Sequence, residues 1–101
     1  VRLLAREPNT VVDELAFGAM HALYDAGLEI GRDVSIVGFD DVPLAAHTHP
    51  PLTTMHQPRR AVGEHLATLL ADTIERRTRA AQSAVLGARL IVRRSTGPLR
   101  L

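Results

Sequence analysis

The chain of 101 residues contains no cysteine, no tryptophan and no lysine, and aromatic residues make up only 3% of it. Without cysteine it has no disulfide framework, no thiolate ligand for a metal ion and no cysteine nucleophile. All 12 basic residues are arginine, and 11 acidic residues balance them to a net charge of +1. A chain this neutral and this poor in aromatics is poorly suited to nucleic-acid binding, which relies on basic contacts to phosphates and on aromatic stacking with bases.

Long apolar runs are also missing from the sequence. No stretch approaches the roughly 20 residues that a membrane helix needs, and the start of the chain, Val1–Arg6, is too short for the apolar core of a signal peptide. We therefore expect a soluble cytoplasmic protein without membrane contact. The motifs of hydrolases, of phosphate-binding loops and of His-Glu-x-x-His zinc enzymes do not occur. We expect no enzyme, no catalytic residue, no cofactor and no metal site.

What the sequence does contain is a regular apolar pattern in a chain long enough for at most one domain. From Asp13, apolar residues recur at steps of three and four and stop before Gly27, which predicts an amphipathic helix. A second helix is predicted from about Pro58 to about Arg79. Its apolar stripe consists of Val62, Leu66, Leu69, Leu70, Thr73 and Ile74.

Strand signals flank the first helix. The β-branched run Val34–Phe39 predicts a strand buried on both faces of a parallel sheet, and the short run Asn9–Val12 predicts the strand before the helix. Ala88–Thr96 alternates enough to predict an edge strand. Strand, helix and strand in this order form a βαβ unit and predict an α/β fold. The long proline-containing connection Val42–Gln57 is predicted to be a contact surface.

The pair Asp40-Asp41 is the best candidate for chemistry, because it follows the predicted central strand. Ligands bind outside the carboxyl ends of the strands in open parallel sheets. A carboxylate there can accept hydrogen bonds from adjacent sugar hydroxyls, or it can help to hold Mg²⁺. It can also simply begin a solvated turn. The histidines, including the His47-Thr48-His49 pair, lack a matching acid and do not predict a metal site.

Five motifs follow one another along the chain. They are Asp13–Met20, Ala26–Leu28, Asp33–Asp41, Pro50–Thr54 with Gln57, and Arg93 with Ser95-Thr96. In this order and spacing they resemble the lac/galactose-repressor-type (LacI/GalR) transcriptional regulators, over a span from about Val12 to Pro98. The resemblance implies a portion of a periplasmic-binding-protein-like (type I) α/β fold with a parallel sheet, in an incomplete two-lobe sensor.

In that family two lobes close over a small molecule, commonly a sugar or a nucleobase, and closure changes how a dimer presents its helix-turn-helix headpieces to operator DNA. The resemblance implies that residues 11–56 belong to the C-terminal lobe, that residues 57–98 supply a crossover helix and a strand of the other lobe, and that residues 1–10 are unplaced. The headpiece has no counterpart here, so we expect operator DNA to be contacted only through a headpiece absent from this chain.

The resemblance also assigns candidate site residues. Asp40 matches the family's effector-contacting acid, and Asp13 and Arg59 are further predicted ligand contacts. Val12 stands where the family has a ligand-contacting asparagine, so one polar anchor is absent. The stretch from Pro43 matches the family's dimer interface. The predicted homodimer contacts are Pro43, Leu44, Ala45, His47 and Thr48.

The sequence therefore predicts the effector-sensing and dimerisation part of a LacI/GalR-type regulator, with a sugar or another small molecule as effector. A periplasmic-type sugar-binding protein of the same architecture is an alternative. A Mg²⁺-dependent enzyme or phospho-receiver that uses Asp40 and Asp41 is an alternative of a different class. A further alternative is a chain that binds no ligand and only dimerises through residues 43–56.

Overall fold

The structure is a computed structural model that describes residues 10–76 and 86–98. This part of the chain forms β1 (Thr10–Val12), α1 (Asp13–Asp25), β2 (Val37–Phe39), a 3-10 helix (Pro43–Ala46), β3 (Thr54–His56), α2 (Arg59–Arg76) and β4 (Arg89–Ile91). Of the described residues, 10–56 and 89–98 form one compact unit, and 57–76 with 86–88 form a second. We call them the first and the second unit.

Helix α1 begins and ends where local chemistry predicts. Asp13 and Glu14 occupy its first turn, where the positive end of the helix dipole favours acids. Gly27 follows the C-cap residue Ala26 and has a φ of 77°. A glycine adopts this conformation without a steric penalty. The predicted first helix is therefore confirmed. Its N-cap is Val12, which makes no side-chain capping hydrogen bond.

The strands of the first unit form two two-stranded sheets, one of β1 and β2 and one of β3 and β4. β1 and β2 are parallel, with Val11 opposite Gly38, and α1 connects them, which confirms the predicted βαβ unit. β3 and β4 are antiparallel, with Met55 opposite Leu90. Isolated parallel bridges join β2 to β3, and the Gly38 amide donates to the Thr53 carbonyl oxygen at 2.8 Å.

The core of the first unit lies between α1 and the sheet. Its buried apolar residues are Ala16, Met20, Leu23, Val34, Ile36, Ala45 and Leu52. Gly38 lets the elements approach closely, because a Cβ atom there would collide with the Asp13 carboxylate and lie 2.8 Å from Leu52 Cδ2. The central strand therefore carries a glycine where α1, β2 and β3 meet.

The predicted strand over residues 34–39 is longer than the observed one. Val34 instead bridges to Ile30, and the Ile36 amide donates to the Ser95 carbonyl oxygen at 2.9 Å, so only residues 37–39 keep a strand ladder. Burial on both faces is also corrected, because Val34, Ile36 and Gly38 are buried while the residues between them are half-buried. Residues beyond Ile91 leave the β3–β4 ladder, which shortens the predicted edge strand.

The second unit consists of α2 and residues 86–88. The predicted helix over residues 58–79 is present as Arg59–Arg76, and its predicted end lies outside the described residues, as does most of the loop predicted up to Gly87. Leu66, Leu70 and Ile74 form an exposed row along α2. The predicted apolar stripe of α2 is therefore exposed at these three residues.

Candidate functional site

The candidate site lies at the carboxyl end of β2, where Asp40 and Asp41 follow Phe39. Both aspartates have positive φ values, 126° for Asp40 and 58° for Asp41, a region that residues with a side chain seldom occupy. The Asp40 amide donates to the Met55 carbonyl oxygen at 2.9 Å, and Asp40 forms a bridge with His56. The β2 backbone therefore turns sharply here while it remains attached to β3.

Two side chains hold the Asp41 carboxylate. Arg93 Nη2 lies 2.9 Å from Asp41 Oδ1, and His56 Nδ1 shares a hydrogen bond of 2.8 Å with Asp41 Oδ2. Arg93 also donates from Nη1 to the Leu52 carbonyl oxygen and from its backbone amide to Thr53 Oγ1, each at 2.9 Å. The ion pair is largely shielded, since the side chains of Arg93 and Asp41 are 19% and 15% exposed. Charge-assisted bonds in such surroundings are strong.

Electrostatics at Asp41 favour the ionised form. Burial raises the pKa of Asp41, but the hydrogen bonds from Arg93 and His56, together with their charges, outweigh it and lower the pKa below its ordinary value. Asp41 is therefore a carboxylate engaged within the protein.

Asp13, a predicted ligand contact, faces inward in this structure. Its side chain is fully buried. Oδ1 accepts a hydrogen bond from Thr54 Oγ1 at 2.7 Å, and Oδ2 accepts one from the Val42 amide at 2.8 Å. Asp13 thus links the start of α1 to β3 and to the segment after Asp41, close behind the candidate site. This is the arrangement of a structural carboxylate.

The remaining predicted residues are divided between the two units. Arg59, a predicted ligand contact, is the first residue of α2 in the second unit. Pro43, Leu44 and His47 are exposed on and after the 3-10 helix. Ala45, by contrast, is fully buried and belongs to the core. Thr48 is half-buried, and its hydroxyl donates to the Pro50 carbonyl oxygen at 3.0 Å.

Two pockets of about 390 Å³ each lie beside α1 in the first unit, and both are lined by Tyr24 and His49. Asp40 is not among the lining residues of either pocket. Thr48 lines one of them, so the pockets adjoin the predicted dimer surface. They carry no convergent set of charged groups, and we place the candidate effector chemistry at Asp40 instead.

Among residues 10–76 and 86–98, no group of three or more His, Cys, Asp or Glu side chains could hold a metal ion. No helix of the described part is long and apolar enough to cross a membrane.

Sequence reasoning did not predict the contacts that His56, Thr54 and Arg93 make around the two aspartates. His56 gave no signal, since it is one of several scattered histidines. Thr54 and Arg93 stand within the quoted motifs, but their partners Asp13 and Asp41 lie 41 and 52 residues away. Only the pairing of β3 with its neighbours brings these side chains together.

The family of the chain follows from comparison with known proteins. Residues 9–96 match the model of the periplasmic binding protein-like domain. The chain therefore belongs to the periplasmic-binding-protein-like domain family, and the predicted α/β fold is confirmed.

Individual relatives define the group within that family. The chain is 40% identical over 90 residues to the HTH-type transcriptional repressor PurR of Salmonella paratyphi B, a match that covers 87% of this chain and 26% of the repressor. The PurR repressor of Salmonella heidelberg matches with the same identity and coverage. These relatives are transcriptional repressors rather than enzymes. The chain spans only about a quarter of their length.

Solved structures agree with this grouping. A LacI family transcriptional regulator from Enterococcus faecium with bound ribose has a TM-score of 0.77 and 38% identity, covering 89% of this chain and 34% of that one. A lac repressor dimer bound to operator and the anti-inducer ONPF also has a TM-score of 0.77, with 32% identity, covering 87% and 30%. The predicted resemblance to LacI/GalR-type regulators is confirmed.

Proposed function

We propose that this chain forms part of the effector-sensing and dimerisation domain of a LacI/GalR-type transcriptional regulator. The observation that carries the proposal is the sharp turn at the end of β2. There Asp40 has a φ of 126°, and its neighbour Asp41 is engaged by Arg93 and His56. A turn held in this way positions Asp40 at the edge of the sheet where ligands of α/β folds bind.

The effector class proposed is a sugar or another small polyhydroxyl molecule. One carboxylate can accept two hydrogen bonds from neighbouring hydroxyls, with a geometry that distinguishes stereoisomers. Structures similar to this chain are described with bound ribose and as a complex with cellobiose. We assign the main effector contact to Asp40. Arg59 of the second unit stays a predicted ligand contact, because its guanidinium can donate hydrogen bonds to a polar ligand. Asp13 supports this site from inside.

The proposed mechanism is a shift between two arrangements of a two-lobe sensor. An effector that binds the closed arrangement more tightly than the open one moves the population toward it by that difference in affinity. The DNA-binding state changes by the same coupling free energy. Operator contact belongs to a headpiece outside residues 9–96, and such a regulator works in the cytoplasm. We assign no catalytic step to the chain.

A homodimer surface is proposed on the 3-10 helix and the residues after it. Pro43, Leu44 and His47 are exposed there, and Leu44 is 55% exposed. Thr48 and the neighbouring apolar pockets extend this surface. A similar solved structure is described as a repressor dimer. Ala45 is excluded from direct contact because it is fully buried.

Calorimetric titration of the 101-residue chain with D-ribose and with cellobiose tests the effector site. Chelator is present throughout. We expect at least one sugar to bind, and Asp40→Asn to weaken it at least about tenfold, since a hydrogen bond to a charged group contributes about 1.5–3 kcal/mol. Asp25→Asn is the matched control, because Asp25 is an exposed aspartate of α1. Asp40→Asn binding as tightly as the wild type would contradict the assignment.

The Mg²⁺ alternative makes a different prediction, which thermal melts of the same chain test. It requires thermal stabilisation by Mg²⁺ that chelator removes and that Asp40→Asn abolishes. The engagement of Asp41 by Arg93 and His56 opposes this alternative, because those donors occupy the positions that a cation would take.

A further inference from the structure

The side chain of Arg93 joins the β2 turn to the β4 side of the sheet. Arg93 lies after β4, yet its guanidinium bonds Asp41 Oδ1 and the Leu52 carbonyl oxygen, each at 2.9 Å. Its own backbone amide is fixed by Thr53 Oγ1, also at 2.9 Å. The guanidinium is therefore anchored on the segment before β3 and reaches from there to the aspartate pair.

The backbone at that pair needs an external restraint. Residues with a side chain are strained at positive φ, and they persist there where the surrounding structure fixes their conformation. Two such residues follow one another here, Asp40 and Asp41. Asp40 has its own tie through its amide to Met55, whereas Asp41 is tied through its carboxylate to Arg93 and to His56.

Arginine is suited to this task by its shape. The guanidinium is planar and permanently charged, and its donors are fixed in a fork. Here one terminal nitrogen bonds a carbonyl oxygen and the other a carboxylate oxygen. A lysine has a single compact ammonium on a flexible stem and reproduces the charge without the fork. Arg94, the next residue, is exposed.

We propose that Arg93 is a positioning residue for the effector site: by clamping Asp41 it holds Asp40 in the backbone conformation that presents its carboxylate at the end of β2. This inference rests on the proposed function for the identity of the ligand. The positioning itself is a property of the chain alone and can be measured without ligand.

Nuclear magnetic resonance of the 101-residue chain provides the ligand-free test. The three-bond HN–Hα coupling of Asp40 reports φ, and a φ of 126° gives a much smaller coupling than extended backbone. We expect Arg93→Met to raise this coupling toward the extended value. Arg93→Lys should give an intermediate value, because it restores the charge without the fork.

The matched control is Ser95→Ala. Ser95 is fully buried, accepts a hydrogen bond from the Thr53 amide at 2.8 Å and donates to the Ile36 carbonyl oxygen at 2.6 Å. Its loss should destabilise the same sheet without touching Asp41, so the Asp40 coupling should stay at the wild-type value. If Arg93→Met fails to fold, Asp41→Asn serves in its place, because it weakens the same clamp from the other side.

Titration with D-ribose and cellobiose then separates the two claims. We expect Arg93→Met to weaken sugar binding at least tenfold, and Ser95→Ala to leave the affinity of the folded chain unchanged. A wild-type chain that binds neither sugar contradicts the proposed function, and the coupling alone then decides the role of Arg93. An Asp40 coupling equal in wild type and Arg93→Met overturns the positioning role, whatever the sugar titration gives.

Discussion

Replacement of Asp13 by alanine is the perturbation whose size the structure constrains best. The buried carboxylate bonds Thr54 Oγ1 at 2.7 Å and the Val42 amide at 2.8 Å. Each hydrogen bond to a charged group contributes about 1.5–3 kcal/mol, so the two together contribute about 3–6 kcal/mol. Removing the buried charge also removes its desolvation penalty. We therefore expect the lower end, a loss of about 3 kcal/mol in the free energy of unfolding.

Urea unfolding followed by circular dichroism measures this loss. Glu14→Ala is the matched control, because Glu14 is the exposed acid next to Asp13 in the first turn of α1. It tests the helix-dipole contribution alone, about 0.3–1 kcal/mol. Asp13→Asn should lie between the two, since its amide can accept from Thr54 but presents a donor to the Val42 amide. An Asp13→Ala variant as stable as Glu14→Ala would show that the two hydrogen bonds of Asp13 do not stabilise the fold.

Three further predictions concern the core, the stability at acid pH and the dimer. Gly38→Ala should lower the free energy of unfolding by about 2 kcal/mol, because the added Cβ has no room. The control Gly18→Ala should raise it by about 0.5–1 kcal/mol, because nothing lies within 4 Å of a Cβ at that position. Equal urea midpoints for the two variants would contradict this prediction. Because the native pKa of Asp41 is lowered, its stabilising contribution is present above the ordinary carboxyl pKa and disappears as the pH falls through the native value. In thermal melts across the acid range, the melting temperature of Asp41→Asn should thus depend less steeply on pH than that of the wild type. An unchanged slope would count against a stabilising role for the contacts of Asp41 with Arg93 and His56. Leu44→Arg should convert a dimer to a monomer in sedimentation velocity. The control Leu66→Arg, at a similarly exposed leucine of the second unit, should not. If Leu44→Arg stays dimeric, the 3-10 helix is not part of the interface.

Local patterns predicted most of the secondary structure of the first unit. The steps of three and four after Asp13 and the stop at Gly27 give α1 its observed bounds, because both are set by residues within the helix itself. The strand run 34–39 was predicted too long. Its first half pairs with Ile30 and Ser95, and pairing partners distant in the chain are not visible in a local pattern.

The sequence predicted the position of the candidate site but not the side-chain contacts within it. Asp40 follows from the rule that ligands bind at the carboxyl ends of parallel strands. An acid at the start of a helix gives the same sequence signal whether it contacts a ligand or the interior, and Asp13 contacts the interior. The clamp on Asp41 depends on an arginine 52 residues away, which only the tertiary fold places beside it.

Mapping D-ribose and cellobiose onto the amide spectrum of the 101-residue chain, with chelator present, tests the effector assignment most directly. We expect shifts that saturate with sugar and concentrate at Asp40, Asp41 and the facing residues Met55 and His56. The assignment is contradicted if neither sugar shifts any resonance, or if the shifts cluster at the pockets around Tyr24 and leave Asp40 unchanged.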